Sequence, residues 1–210
     1  MPLVSEYRVG NVGVAVWKIT ETTEELLSLV APEYMAAAAL LRGEHRRREW
    51  LAVRALLGRV CGDAARIGYD SSGKPYLVGG GCHIGISHTR GYALLACSAD
   101  NPFGVDAELL GRNAVASACK FMPASDVEAL PHADADLAVL VRWSVCEALF
   151  KLVGDLGGTY KDNVVLHSSL PGRDGVIDVS IKGISGFEDA CFRAFCIMDE
   201  DLLLVVCTPV

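Results

Sequence analysis

The chain has 210 residues, of which 51% are apolar and 21% charged, and its formal net charge at pH 7 is −7. This composition is typical of a globular protein and excludes a disordered chain, while the negative charge argues against nucleic-acid binding. The sequence has no run of about 18 apolar residues. It also lacks a basic and then apolar start. It therefore predicts a cytoplasmic protein without membrane association.

The first half of the chain predicts one strand followed by three helices. Residues 13–19 form an apolar strand pattern, and Thr22 with Glu25 forms a capping box that begins a helix. An alanine-rich segment at residues 33–43 predicts a second helix. Residues 44–61 repeat apolar side chains at helical spacing, which predicts a third helix with one packed face.

Arginines crowd the segment that contains the third predicted helix. We expect them to face outward and to meet either an acidic partner or a phosphate, although a solvated helix face would show the same pattern. The six residues are Arg42, Arg46, Arg47, Arg48, Arg54 and Arg59.

The second half of the chain repeats the order of the first half, a strand, then helices, then strands. We therefore expect an α+β fold of two similar, pseudo-symmetric α/β lobes, residues 1–101 and 102–210, with the active site in the cleft between them. The remaining predicted strands are residues 75–78, 83–87, 92–98, a strand through Val105, 164–167, 176–182, 191–198 and 202–208. The predicted helices of the second half are residues 113–120, 124–130 and 135–153.

Eight cysteines are scattered along the chain, mostly within apolar segments, and no C-x-x-C pair occurs. This pattern favours small buried apolar side chains over disulfides or zinc ligands. We therefore expect no structural metal–thiolate site.

Asp106 and Glu108 stand two residues apart in an apolar, strand-like segment, so their side chains are expected to share one face of a strand. Two anions on one face need a cation, and Mg²⁺ takes carboxylate ligands together with substrate phosphate oxygens. A solvated strand edge with two acids would show the same pattern.

Trp143, Glu147 and Lys151 recur every four residues in a predicted helix and so form one stripe. Glu147 and Lys151 could also be an ordinary surface pair, and Trp143 is expected to be core packing. Elsewhere, a short strand runs into the polar turn that carries Ser87 and His88, whose hydroxyl and imidazole suit an anion such as phosphate.

Four motifs follow one another in a fixed order. They are Gly73-Lys74-Pro75, Ile86-Ser87-His88, Gly104-Val105-Asp106-Ala107-Glu108 and the W-x-x-x-E-x-x-x-K stripe at residues 143–151. In this order, the segment from Arg46 to Lys151 resembles the 4′-phosphopantetheinyl transferase superfamily, in its longer, single-chain, surfactin-synthetase-activating type. One position departs from the family pattern, because Cys146 stands where the family usually has Lys.

The resemblance implies transfer of 4′-phosphopantetheine from coenzyme A to a serine of an apo acyl or peptidyl carrier protein, with release of adenosine 3′,5′-bisphosphate. It implies Mg²⁺ as the cofactor, held by Asp106, Glu108 and Glu147. Glu147 would also accept the serine proton, directly or through a metal-bound water, and Lys151 would contact a phosphate oxygen.

By the same resemblance, Lys74, Ser87 and His88 contact the 3′-phosphate of coenzyme A and its surroundings, and Arg47 is added from the basic helix. His88 could instead be a turn histidine, and Lys74 a solvated turn residue. The expected partners are coenzyme A and an acidic carrier protein, with neither nucleic acid nor membrane, and the expected state is a monomer.

Two other functions fit parts of the sequence. A degenerate relative could bind coenzyme A or its nucleotide without efficient transfer, because Cys146 removes one positive charge of the family pattern. A Mg²⁺-dependent nucleotide phosphohydrolase would share the carboxylates and the basic residues but would need no carrier protein. The sequence leaves open whether the carrier belongs to fatty acid, polyketide or nonribosomal peptide synthesis.

Overall fold

The computed structural model describes residues 4–130, 132–156, 160–188 and 190–210. The chain divides into two compact units, Met1–Asn101 and Pro102–Val210. Helices and antiparallel sheets are combined in the chain, so the fold is α+β, as expected. Within the described ranges, no helix has the length and the apolar character that crossing a membrane requires.

The described part of the first unit, from residue 4 on, contains six strands and three helices. They are β1 (Val4–Val9), β2 (Val12–Lys18), α1 (Thr23–Ser28), α2 (Tyr34–Leu40), α3 (Glu44–Cys61), β3 (Ile67–Tyr69), β4 (Pro75–Leu77), β5 (His83–Thr89) and β6 (Tyr92–Ser98). Four strands form an antiparallel sheet in the order β1-β2-β6-β5, and β3 pairs with β4 in a separate hairpin. This sheet is the surface on which the core of the unit forms.

The core of the first unit lies between α3 and the sheet. Leu51 and Leu56 of α3 pack with Leu95 of β6, and all three side chains are fully buried. The predicted helix over residues 44–61 is therefore confirmed, because its apolar residues recur on the face that meets the sheet. The capping box of α1 is also confirmed, since Thr22 and Glu25 exchange both of its hydrogen bonds.

Arg54 corrects the expectation that every arginine of α3 faces outward. Its side chain is buried, and its guanidinium lies 3.6 Å from the ring centroid of Trp50. Arg54 Nη2 also donates to the Tyr69 hydroxyl at 3.3 Å. Burial lowers the pKa of Arg54. The ring face of Trp50 and the hydroxyl of Tyr69 replace part of the hydration that the guanidinium loses on burial, so the cation can be buried at this point of α3.

Among the residues of the second unit that the structure describes, there are five strands and several helices. They are β7 (Gly104–Leu109), a 3₁₀ helix (Val115–Lys120), α4 (Ala124–Glu128), a second 3₁₀ helix (His132–Asp134), α5 (Ala135–Val153), α6 (Tyr160–Asn163), β8 (Val164–Leu166), β9 (Val176–Ile181), β10 (Cys191–Asp199) and β11 (Leu202–Pro209). The strands form one antiparallel sheet in the order β7-β11-β10-β9-β8, so β7 lies at its edge.

Helix α5 packs on β7 and β11 and provides the centre of the second core, which includes the fully buried Leu149 and Leu203. The helix and β7 approach closely at Gly104. A Cβ atom built on Gly104 would lie 1.8 Å from the carbonyl oxygen of Ala148. Only glycine fits there, and this close contact brings the next residues of β7 against the side chains of α5.

The structure differs from the predicted elements at several places, among them α6 and the 3₁₀ helix His132–Asp134, which were not predicted. Residues 4–9 and 67–69, for which no strand was predicted, form β1 and β3, and the helix predicted at residues 113–120 is a 3₁₀ helix. Strand β1 pairs with β2 through the two-residue turn Gly10-Asn11, in which Gly10 has a φ of 55°. The pairing partner, rather than the local pattern, makes residues 4–9 a strand.

The cysteines are only partly the buried apolar residues that the sequence predicts. Cys146, Cys196 and Cys207 are buried in the second core, as expected. The expectation is wrong for Cys119 and Cys191, which are exposed. The other three cysteines, all in the first unit, are half-buried.

Candidate active site

Asp106 and Glu108 lie on the same face of β7, and both accept hydrogen bonds from side chains of α5. The hydroxyl of Ser144 donates to Asp106 Oδ2 at 2.8 Å, and Lys151 Nζ lies 2.8 Å from Asp106 Oδ1. Asp106 is buried. A buried carboxylate needs such partners, and here a hydroxyl and an ammonium fix both of its oxygens.

Glu108 likewise accepts one hydrogen bond from a side chain of α5 and one from a side chain of the segment just after β7. Trp143 Nε1 donates to Glu108 Oε1 at 2.7 Å, and Arg112 Nη1 donates to Glu108 Oε2 at 2.8 Å. The ring of Trp143 also packs on Phe121, with the centroids 5.0 Å apart. The expectation that Trp143 only packs in the core therefore needs correction, because its indole N–H orients a site carboxylate.

Glu147 stands between Trp143 and Lys151 on the stripe of α5 and is half-buried. Burial raises its pKa, the charge of Asp106 raises it further, and Lys151 partly opposes the shift. Burial and then Asp106 likewise raise the pKa of Glu108. These carboxylates are close enough to repel one another, so the site is short of positive charge.

The donor set of Asp106, Glu108 and Glu147 fits Mg²⁺ in its chemistry, because all of its ligand atoms are carboxylate oxygens and their mutual repulsion favours a cation. The three residues are not, however, among the groups in the described part of the chain whose possible ligand atoms all lie within 4.8 Å of one another. Binding the ion would therefore require the three carboxylates to draw closer together.

Cys146, which stands directly before Glu147, is a buried residue. Its side chain is 6% exposed and belongs to the core of the second unit. Burial raises the pKa of Cys146 to about 11, which keeps the thiol neutral. The thiol at this position therefore packs in the core of the second unit.

His88 projects from β5 toward α3, where it meets a buried carboxylate. Its Nδ1 lies 3.5 Å from Glu49 Oε2, and His45 Nε2 lies 2.8 Å from Glu49 Oε1. Glu49 is buried, whereas half of the His88 side chain is exposed. Glu49 can therefore orient the imidazole of His88 toward a ligand, as carboxylates commonly do for functional histidines.

Three residues that contact the predicted site residues were not predicted from the sequence, namely Glu49, Ser144 and Arg112. A signal existed for Glu49, because His45 stands four residues before it in the same helix, and side chains at that spacing meet. Ser144 and Arg112 had no comparable signal. The contact of Ser144 with Asp106 joins residues 38 positions apart and depends on how α5 packs on β7. The contact of Arg112 with Glu108, four residues apart, depends on the path of the chain after β7.

Ser87 and Lys74 occupy very different environments. Ser87 is buried, and the alternation of β5 directs its side chain to the sheet face opposite that of His88. Lys74 is exposed in the loop between β3 and β4. That loop is held by Asp70 Oδ1, which accepts the backbone N–H of Ser72 and of Lys74 at 2.8 and 2.9 Å.

Arg47 has a structural role that its place in the basic helix did not reveal. Its Nε donates to the carbonyl of Ala38 at 3.0 Å, its Nη2 donates to the carbonyl of Leu41 at 3.1 Å, and its Nη1 lies 3.3 Å from Glu44 Oε2. These carbonyls lie at the C-terminal end of α2, where the last carbonyls of a helix lack intrahelical partners, although that of Ala38 also accepts the N–H of Leu41 at 3.2 Å. Contact with a nucleotide would require Arg47 to leave them.

The sequence matches no protein-family model, and no curated protein is similar to it at a significant level.

Proposed function

We propose that the protein transfers the 4′-phosphopantetheine group of coenzyme A to a serine of an apo acyl or peptidyl carrier protein, in a Mg²⁺-dependent reaction that releases adenosine 3′,5′-bisphosphate. The observation that carries the proposal is the direct contact of β7 with the stripe of α5, where Lys151 Nζ lies 2.8 Å from Asp106 Oδ1. Phosphoryl-type transfer depends on positioning and on charge neutralisation, and this contact joins carboxylates and a cation in one place.

In this proposal, Asp106, Glu108 and Glu147 hold Mg²⁺, which when bound neutralises charge on the diphosphate. Ser144 and Trp143 keep two of these carboxylates oriented through the hydrogen bonds they donate. Such orientation lowers the cost of assembling the site when the substrate arrives.

Glu147 has the properties of the base that the reaction needs. A base must be unprotonated at the working pH yet accept a proton readily, and burial together with Asp106 raises the pKa of Glu147 from that of an ordinary glutamate. We propose that Glu147 takes the proton of the carrier serine. Lys151, one turn further along α5, then balances the negative charge of the phosphate oxygens.

The first unit would bind the nucleotide end of coenzyme A. His88, oriented by Glu49, and Lys74 in its loop are exposed groups that suit a 3′-phosphate. Ser87 is buried on the other face of the sheet, so direct contact of its hydroxyl with the 3′-phosphate is not part of the proposal. Arg42 and Arg46 are exposed near the start of α3 and would give an acidic carrier protein a positive surface.

We propose that the two units are pseudo-symmetric lobes and that the reaction uses groups of both. Strand order supports the symmetry. In the first unit, β2 pairs with β6, the last strand of that unit, and β6 pairs with β5. In the second unit, β7 pairs with β11, again the last strand, and β11 pairs with β10. One long helix packs on each set, α3 in the first unit and α5 in the second.

His88→Ala is expected to lower the affinity for coenzyme A about tenfold or more, because it removes a hydrogen bond to a charged phosphate. Affinity for 3′-dephospho-coenzyme A, which lacks that phosphate, should not change. Isothermal titration of both compounds to the wild type and the variant measures the difference. His132→Ala is a suitable control, since His132 is an exposed histidine of the second unit. An equal loss for both compounds would contradict a role of His88 at the 3′-phosphate.

Mg²⁺ binding is expected to weaken as the pH falls, and to do so at higher pH than for ordinary glutamates, because the pKa values of Glu108 and Glu147 are raised above 4.5. In the metal-free protein, groups with raised pKa values stabilise the folded state as the pH falls through those values, which is the opposite trend. The Mg²⁺-induced rise in Tm should therefore be largest near neutral pH and should fade as the pH falls through the raised pKa values of these two carboxyl groups. A rise independent of pH, or one retained in Asp106→Asn, would show that Mg²⁺ binds elsewhere.

Release of adenosine 3′,5′-bisphosphate from coenzyme A tests the function and separates it from the alternatives. The proposed transferase releases it only when an apo carrier protein is present. A phosphohydrolase would release phosphate or adenylate without a carrier, and a protein that only binds coenzyme A would release nothing. The binding alternative, motivated by Cys146 where the family pattern has Lys, is separated from the transferase by this measurement.

A further inference from the structure

Three cysteines of the first unit converge from separate parts of the chain. Cys61 is the last residue of α3, Cys82 stands just before β5, and Cys97 lies near the end of β6. Their sulfur atoms all lie within 4.8 Å of one another, and the Sγ atoms of Cys61 and Cys97 are 3.7 Å apart. Among the described residues, no other set of three or more His, Cys, Asp or Glu side chains brings its possible ligand atoms this close. We call these three residues the thiol cluster.

The surroundings of the thiol cluster argue against two simpler roles, ordinary core packing and a reactive cysteine. All three cysteines are half-buried at the margin of the first core, so they are neither fully packed in it nor isolated on the surface. Burial raises the pKa of Cys82 and of Cys97, and the neighbouring Cys61 raises both further, while a hydrogen bond with Cys97 only partly opposes the shift of Cys82. A reactive cysteine needs a cation or a similar group that lowers its pKa below the ordinary value, and neither of these two pKa values is lowered.

The spacing of the sulfurs suits a tetrahedral metal ion. Zinc–sulfur bonds of about 2.3 Å place the sulfurs of a tetrahedral site about 3.8 Å apart. The observed 3.7 Å between Cys61 and Cys97 is close to that value. Soft thiolate ligands select zinc and similar thiophilic ions over Mg²⁺ or Ca²⁺. From this geometry we propose that the thiol cluster binds one zinc-class cation through three thiolates.

The fourth ligand of the cation would come from solvent or from an added ligand. His83 follows Cys82 directly and is the nearest candidate in sequence. Cys97 pairs with Ile84 across the sheet, and side chains alternate between the two faces along β5. The side chain of His83 is therefore directed to the face opposite the one that Ile84 and Cys97 share. Three protein ligands with an open fourth position, half-exposed, make a site whose metal can be exchanged.

A bound metal ion would restrain the connection from β4 to β5 in the first unit, a segment that has weak constraints of its own. The connection from β4 to β5 contains Gly79, Gly80 and Gly81, all with positive φ, immediately before Cys82. Glycines in such conformations lose much chain entropy on folding. A cation shared by Cys61, Cys82 and Cys97 would join this connection to the end of α3 and to β6. The inference does not depend on the proposed transferase function.

Titration of the reduced, full-length protein with Co²⁺ tests the inference directly. We expect one equivalent of Co²⁺ to bind with a thiolate-to-cobalt charge-transfer absorption, and Zn²⁺ to displace it. Cys82→Ser and Cys97→Ser should each lower the affinity at least about 100-fold, since loss of an outer hydrogen-bond partner of a ligand alone costs about 10- to 100-fold. Cys119→Ser and Cys191→Ser, which remove exposed single thiols, are the matched controls and should bind as the wild type does.

A second measurement covers the case in which a cluster variant folds poorly. Zn²⁺ at about 100 times its Kd should raise the Tm of the wild type and of both controls by about 10 °C, and should leave Cys82→Ser unchanged. Absence of the charge-transfer absorption in the wild type would overturn the inference. Undiminished Co²⁺ binding by Cys82→Ser, or a Cys61–Cys97 disulfide that persists under reducing conditions, would overturn it as well.

Discussion

Glu147→Gln is expected to lower the rate of phosphopantetheine transfer by a factor of about 10² to 10⁴, the usual contribution of a general base. The amide keeps the size of the side chain but can neither accept the serine proton nor offer a charged ligand to Mg²⁺. Single-turnover transfer to an apo carrier protein, at saturating coenzyme A and Mg²⁺, measures the loss.

The same substitution should not destabilise the metal-free protein, which separates lost chemistry from lost folding. Glu147 is repelled by Asp106 and Glu108, so its neutralisation should leave the Tm without metal unchanged or higher. Glu128→Gln is a matched control, because it makes the same chemical change at an exposed helical position of the same unit. Transfer by Glu147→Gln at a rate close to that of the wild type would remove Glu147 from the mechanism.

Gly104→Ala is expected to lower the free energy of unfolding of the second unit by at least about 4 kcal/mol, or to prevent its folding. The added methyl group would lie 1.8 Å from the carbonyl oxygen of Ala148, and neither the strand nor the helix backbone can move away cheaply. Hydrogen exchange of the α5 amides measures the effect, because a chain of two units need not unfold in a single step.

Gly13→Ala is the matched control for that substitution. Gly13 is also a strand glycine, but the nearest atom to a Cβ built there is the carbonyl oxygen of Cys97 at 3.9 Å, an ordinary contact. We expect its free energy of unfolding to change by less than about 1 kcal/mol. Equal stability of Gly104→Ala and the wild type would show that β7 and α5 need not approach this closely, and would weaken the basis of the site.

The long helices could be predicted from the sequence because their signals are local. Residues 44–61 and 135–153 show apolar repeats at helical spacing, and α3 and α5 have those bounds. The later strands were also predicted nearly to the residue, since buried apolar runs separated by turns leave few alternatives. A strand such as β1, with a weak pattern of its own, depends on its partner and was missed, although Gly10-Asn11 is a recognisable hairpin turn.

The candidate site could be predicted only as far as its periodicity reached. The period of a strand put Asp106 and Glu108 on one face, and the period of a helix put Glu147 and Lys151 on one stripe. The pairing of Lys151 with Asp106 rather than with Glu147 follows from the packing of α5 on β7, across 45 residues, which no local pattern contains.

Burial was the other property that the sequence left open. Arg54 belongs to an arginine-rich helix yet lies inside, because Trp50 and Tyr69 receive its guanidinium there. The thiol cluster was hidden for a related reason. Its members are separated by 21 and 15 residues, with none of the short spacings that mark metal sites in sequences. Only the packing of the end of α3 near β5 and β6 brings the three sulfurs together.

Intact mass of an apo acyl carrier protein, after incubation with this protein, coenzyme A and Mg²⁺, tests the proposed function most directly. The proposal predicts that the carrier gains the mass of one phosphopantetheine group, and that this gain is lost without Mg²⁺ and with Glu147→Gln. Titration of coenzyme A to the same preparation shows whether the substrate binds. A carrier of unchanged mass, across acyl and peptidyl carrier proteins and with coenzyme A bound, would contradict the proposed transfer.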